Sequence, residues 1–157
     1  MNLDRRAELI AQYENGYQLI VDALHSITDA EMDARPAPHE WTTREIIHHL
    51  ADSEMTSAIR LRLLLAAENP TILGYDQDAF ARRLHYDRPI TASLEAFKAA
   101  RRATAEILHR MTDAEWARAG THTDTGRYTA EDWLEIYASH ALEHAAQIRV
   151  ARASRKP

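Results

Sequence analysis

The sequence predicts an all-α protein, a four-helix bundle with a long crossover between helices two and three. Three observations carry that expectation. Apolar residues recur at three- and four-residue spacing along most of the chain, and no stretch alternates convincingly at period two. Only four Gly and five Pro punctuate the 157 residues, so the breaks between periodic runs are few and distinct. The third observation is an echo: "HSITDAE" at His25–Glu31 returns as "HRMTDAE" at His109–Glu115, each followed by an aromatic, a Thr and a new helical run. Two similar helix–loop–helix halves predict pseudo-twofold symmetry. Thr-Asp-Ala-Glu is also a common helix start, so the weight rests on the approximate spacing and the flanking aromatics.

The elements follow in order. Helix one runs from Leu3 to about His25, with Leu9, Tyr13, Tyr17, Ile20 and Leu24 on one face. "ARPAPHEW" breaks the chain, and Thr42 with Glu45 forms a capping box that opens helix two. Ile46, Leu50, Leu61 and Leu64 give helix two an apolar stripe lasting to about Ala67. "ENPTILGYDQD" ends it and begins the crossover, with a short helix near Asp78–Leu84. Helix three follows "DRPIT" and turns Leu94, Phe97, Thr104, Leu108 and Met111 inward. After "AGTHTDTGRY", a second capping box at Thr129 and Asp132 opens helix four, which runs to about Ala153. Its stripe is Trp133, Ile136, Tyr137, His140, His144 and Ile148.

Composition narrows the functional classes. The length fits one domain, residues 1–157, large enough to bury a real core. Net charge is −5, with basic residues interleaved among acids, which argues against nucleic acid as a partner. No apolar run could span a bilayer, and "MNLDRRAELI" does not read as a secretory leader, so a soluble, cytoplasmic protein without a membrane partner is expected. There is no cysteine. Disulfides, thiolate ligands and a protein thiol nucleophile are therefore excluded, and any thiol chemistry must bring its thiol on a substrate.

Helix four places His140 and His144 one turn apart inside its apolar stripe. Their imidazoles project from one face roughly 6 Å apart, where an unpaired ring would leave polar nitrogens unsatisfied. A pair at this spacing is ordinary among nine histidines, and two ligands do not make a metal site. Helix two supplies a candidate third in "EIIHHLADSE": His49 lies near the inward stripe, whereas His48 points further off and is expected to be solvated. Counted from the two Thr caps, His49, His140 and His144 fall within a turn or two of one level. Ala51, Ser53, Ala141 and Ala145 are small enough to leave room for an ion and a substrate. A metal-free alternative stands beside this, with the imidazoles hydrogen-bonded to Asp52, Glu54, Tyr137 or backbone. His25, His39, His85, His109 and His122 fall at helix ends or loops, where solvation or the helix dipole accounts for them. His140-Ala-Leu-Glu143-His144 also fits the inverted zinc-peptidase pattern, but no acid follows His144 to complete that ligand set.

"WTTREIIHHLADSE", "GYDQDAF" and "YTAEDWLEIYASHALEHAAQI" together resemble the DinB-like superfamily of metal-binding four-helix bundles. The resemblance covers nearly the whole chain. It implies three metal ligands, His49, His140 and His144, an open face on the ion, and often a homodimer. Similar members include bacillithiol S-transferases and mycothiol-dependent isomerases. The expectation is a divalent-metal-dependent enzyme, a thiol S-transferase or hydrolase of a small molecule, with a low-molecular-weight thiol as a candidate partner. The alternative is a non-catalytic, metal-stabilised binding or stress-response module. Zinc or nickel is the first expectation, with manganese or iron also compatible with imidazole and water ligands. No catalytic residue is assigned; Asp52, Glu54 and Glu143 are the candidate general bases.

Overall fold

Side-chain caps set where three of the four long helices begin. In the computed structural model, which describes residues 1–154, Asn2 accepts a hydrogen bond from the Arg5 amide and opens α1 (Leu3–Ala23). The two expected capping boxes are both formed: Thr42 with Glu45 opens α3 (Thr43–Ala66), and Thr129 with Asp132 opens α7 (Ala130–Ala153). The fourth long helix, α5 (Thr91–Leu108), follows Pro89 and Ile90 and has no side-chain cap. Bundle packing therefore has to hold its first turn. Phe97, Thr104 and Leu108 are buried as expected, and so is a charged residue, Arg101.

The internal echo folds the same way twice. Thr28 and Glu31 form a complete capping box on the one-turn helix α2 (Asp29–Met32), and Thr112 and Glu115 do so on α6 (Asp113–Trp116). The halves are α1–α2–α3 and α5–α6–α7, joined by the crossover that carries the short helix α4 (Gln77–Arg83). Within the bundle α1 packs on α7 and α5, and α3 packs on α5 and α7. One apolar cluster gathers Tyr13, Leu61, Leu64, Trp133 and Leu134, and another gathers Ile20, Ile46, Phe97, Ala141 and Ile148. The three-residue tail of the expected 1–157 unit lies outside the described residues.

Three expectations need correction. A small sheet is present: β1 (Thr71–Ile72) pairs parallel with β2 (Ala119–His122), which pairs antiparallel with β3 (Gly126–Thr129). Its strands have at most four residues and bury little beyond Ile72, Gly120 and Tyr128, too few to show as alternation. Gly120 allows the close approach: a Cβ there would sit 2.4 Å from the Pro70 carbonyl oxygen. Ile136, expected in the stripe of helix four, is half exposed, and Leu134 and Ala138 are buried instead. His48 is fully buried rather than solvated. The crossover and the first turn of α5 cover that side of α3, so His48 Nδ1 lies 2.8 Å from Ser93 Oγ and its Nε2 lies 3.0 Å from the Arg88 carbonyl oxygen.

Candidate metal centre

The capped helices α3 and α7 lie against each other, and their facing sides bring three imidazoles together. His140 Nε2 lies 3.2 Å from His49 Nε2 and 3.0 Å from His144 Nε2. One donor atom from each residue fits within 4.8 Å of the others. The His140 and His144 rings stand nearly perpendicular, at 89°, and Trp41 packs against the His49 ring at 4.6 Å between centroids.

Burial keeps all three rings neutral. Desolvation, with the nearby His144 adding to it, lowers the pKa of His49 to about 3. Desolvation likewise pushes His140 well below the ordinary imidazole range, with His144 and His49 adding to the effect. His144 is also lowered by desolvation, against an opposing hydrogen bond to Gln147. That bond, 2.6 Å from His144 Nδ1 to Gln147 Oε1, places the proton on Nδ1 and leaves the Nε2 lone pair facing the cluster.

Protein hydrogen bonds do not satisfy this arrangement. The His140 Nε2 either carries a proton or accepts one, and a single N–H cannot point linearly at both neighbours. The Nδ1 atoms of His49 and His140 are buried without any hydrogen-bond partner. The side chains that could have served them are engaged elsewhere. Asp52 accepts from the Tyr86 hydroxyl, Glu54 from Tyr13 and Arg101, and the Tyr137 oxygen from Arg60. Nitrogen ligands ~2.0–2.1 Å from a zinc ion lie roughly 3.3–3.4 Å from one another in tetrahedral geometry and roughly 2.8–3.0 Å when adjacent in octahedral geometry. The two spacings from His140 fall within those limits, and the three rings fit a divalent cation in donor type and charge state.

A cavity of about 220 Å³ opens beside the cluster. His49, Ser53 and Arg60 from α3 and Tyr137 and His140 from α7 form its walls, with crossover and hairpin residues including Tyr75 and His122 completing it. Of the four small residues expected to leave room, only Ser53 lines the cavity; Ala51, Ala141 and Ala145 are packed in the core. None of the candidate bases reaches it. Asp52 is held by Tyr86, Glu54 is paired with Arg101 in the core, and Glu143 is exposed on α7 outside the cavity lining. His122, expected to be merely solvated, is among the lining residues. Its Nδ1 accepts the Asp124 amide at 3.2 Å, so the proton of the neutral ring sits on Nε2. Only the hairpin brings His122 to the site, and a hairpin with strands this short leaves no periodic signal in the sequence.

A core network fixes the level of α7 beneath the cluster. Arg101 Nη2 donates to Glu54 Oε2 at 2.7 Å and to the Tyr137 carbonyl oxygen at 3.3 Å, one turn before His140. Its Nη1 donates to the Tyr13 carbonyl oxygen at 2.6 Å. Gly16 makes space for it, since a Cβ there would stand 2.2 Å from Arg101 Nη1. Four helices thus meet on one ion pair that is closed to water.

Comparison with known proteins agrees with this architecture. The family profile of the DinB superfamily matches residues 12–148. A relative from Oceanobacillus iheyensis, named "putative metal-dependent hydrolase", is 31% identical over 141 residues, which cover 90% of this chain and 82% of that protein. A Bacillus pumilus relative of the same name is 31% identical over 147 residues, covering 93% and 80%. Among solved structures, YfiT from Bacillus subtilis superposes with a TM-score of 0.90 at 29% identity, covering 98% of this chain and 89% of that one. YfiT is described as "a probable metal-dependent hydrolase with an unusual four-helix bundle topology". Fold, internal repeat and sequence match agree, and the chain belongs to the DinB superfamily.

Proposed function

We propose that this protein is a metal-dependent hydrolase of a small molecule, with His49, His140 and His144 holding one divalent cation. One observation carries the reading: three neutral imidazoles converge beside a cavity of about 220 Å³, and the buried Nδ1 atoms of His49 and His140 find no protein partner. The relatives' names support the hydrolase class. When bound there, a divalent cation supplies Lewis acidity and makes water ionisable near neutral pH.

The chain's own residues do the rest. Gln147 holds the His144 tautomer, and the neutral rings add no negative charge that would offset the cation. His122 presents Nε2 as its uncommitted nitrogen, suited to donate a proton to an oxygen of the substrate. The cavity volume selects small substrates or one small end of a larger one. Imidazole donors favour zinc or nickel, with manganese and iron as weaker candidates.

The test is turnover of small esters and amides by protein stripped of metal and reloaded with each of these ions, with and without a low-molecular-weight thiol. Hydrolysis that requires the ion and disappears in His144→Ala is the expected result. A strict requirement for added thiol would reassign the reaction to S-transfer. Full metal occupancy without turnover across the panel would make the protein a metal-stabilised binding module.

A further inference from the structure

Arg60 is a cation in the wall of the metal cavity with no carboxylate paired to it among the described residues. Arg6, Arg44, Arg101 and Arg152, also at least half-buried, each pair with Asp or Glu. Arg60 instead donates from Nη1 to the Tyr137 hydroxyl at 3.0 Å and from Nη2 to the Leu73 carbonyl oxygen, and its guanidinium lies 5.7 Å from the Tyr75 ring centre. Its buried Nε has no acceptor. Arg62 and Arg88 also lack an acidic partner, but neither lines this cavity.

Neutral groups therefore hold the Arg60 fork in place without cancelling its charge. Because the Tyr137 oxygen accepts from Arg60, the Tyr137 hydroxyl proton remains free to donate, and Tyr137 lines the same cavity. The acid among the lining residues, Asp124, has a largely exposed side chain that takes the Thr123 hydroxyl at 3.2 Å. A fixed, uncompensated guanidinium beside a spare hydroxyl donor is complementary to an anionic oxygen group.

We infer that the substrate carries an anionic oxygen group, a carboxylate or a phosphate, that binds Arg60 and the Tyr137 hydroxyl while its reacting end faces the three histidines. This deepens the hydrolase reading and rests on it for the reacting end. The anion contact itself does not depend on the ion.

Calorimetric titration tests this with succinate, its neutral analogue succinamide, and inorganic phosphate. Each is titrated into zinc-loaded and chelator-treated protein, with metal content measured in parallel. Succinate is expected to bind at least about tenfold more tightly than succinamide, and Arg60→Met should weaken it by about the same factor, since charge-assisted hydrogen bonds are roughly twice as strong as neutral ones. Phosphate binding that exceeds succinate binding and depends on Arg60 would identify the group as a phosphate; the reverse order would identify a carboxylate. Succinamide binding as tightly as succinate, Arg60→Met binding succinate like the wild type, or no binding of either anion would overturn the inference. If Arg60→Met does not fold, Arg60→Lys and the wild-type comparison of succinate with succinamide decide it. Arg60-dependent anion binding by protein that takes up no metal would defeat the hydrolase reading and leave this one standing.

Discussion

Two polar clusters lie in the bundle, one where the four long helices meet and one between α3 and α7, and they are built on opposite terms. In the Glu54–Arg101–Tyr13 cluster the charges are matched and the donors find acceptors in the protein. In the His49–His140–His144 cluster three nitrogens crowd together, two others have no partner, and a cavity lies alongside. Buried polarity that is satisfied from within holds a fold together, whereas buried polarity left unsatisfied waits for something from outside. The clusters are linked through Tyr137, whose carbonyl oxygen accepts from Arg101 one turn before His140.

The comparison breaks most directly at Arg101. Arg101→Met leaves Glu54 buried without its counter-charge and should cost about 3–5 kcal/mol in a urea melt. His140→Ala should cost the metal-free protein clearly less, because it removes groups that had no partners. Equal losses would erase the distinction between the clusters.

Acid sharpens it next. His48, His49, His140 and His144 all have folded-state pKa values lowered first by desolvation, from an ordinary 6.5. The unfolded chain therefore takes up protons that the folded chain refuses. Stability of the metal-free protein is complete above about pH 6.5 and falls as the pH drops, with the His49 contribution continuing to fall toward about pH 3. Thermal melts at stepped pH check this, and a flat profile between pH 7 and 5 would contradict the burial of the rings.

His48 and His49 are adjacent in sequence and belong to different regions. His48→Ala should cost about 1–3 kcal/mol, by leaving Ser93 and the Arg88 carbonyl without their partner, and should leave metal uptake intact. The smallest effect lies far from both clusters. Thr28→Ala and Thr112→Ala should each cost about 1 kcal/mol, and by similar amounts, because the two repeats carry the same capping box. Unequal losses in equilibrium denaturation would show that the halves are alike in sequence and not in energetics.

The bundle was legible because its signals are local and repeated. Thr42–Glu45, Thr129–Asp132 and the paired Thr-Asp-Ala-Glu strings mark helix starts that depend only on their own first turns. The meeting of the three histidines was legible because distance from the caps sets axial level. What the sequence hid depends on distant partners. His48 reads as solvated until the crossover is seen to cover it, and Glu54 reads as a free carboxylate until Arg101 arrives from α5. His122 joins the cavity only through a hairpin whose strands are too short to show a period.

Metal titration of untagged protein by competition with a chelator tests the central claim most directly. The wild type should bind one zinc or nickel ion per chain. His49→Ala, His140→Ala and His144→Ala should each weaken binding by more than about a hundredfold, beyond the 10–100-fold typical of losing a group that merely orients a ligand. His48→Ala should match the wild type. Affinity that survives the loss of any one of the three, or that falls as far in His48→Ala, would contradict the assignment.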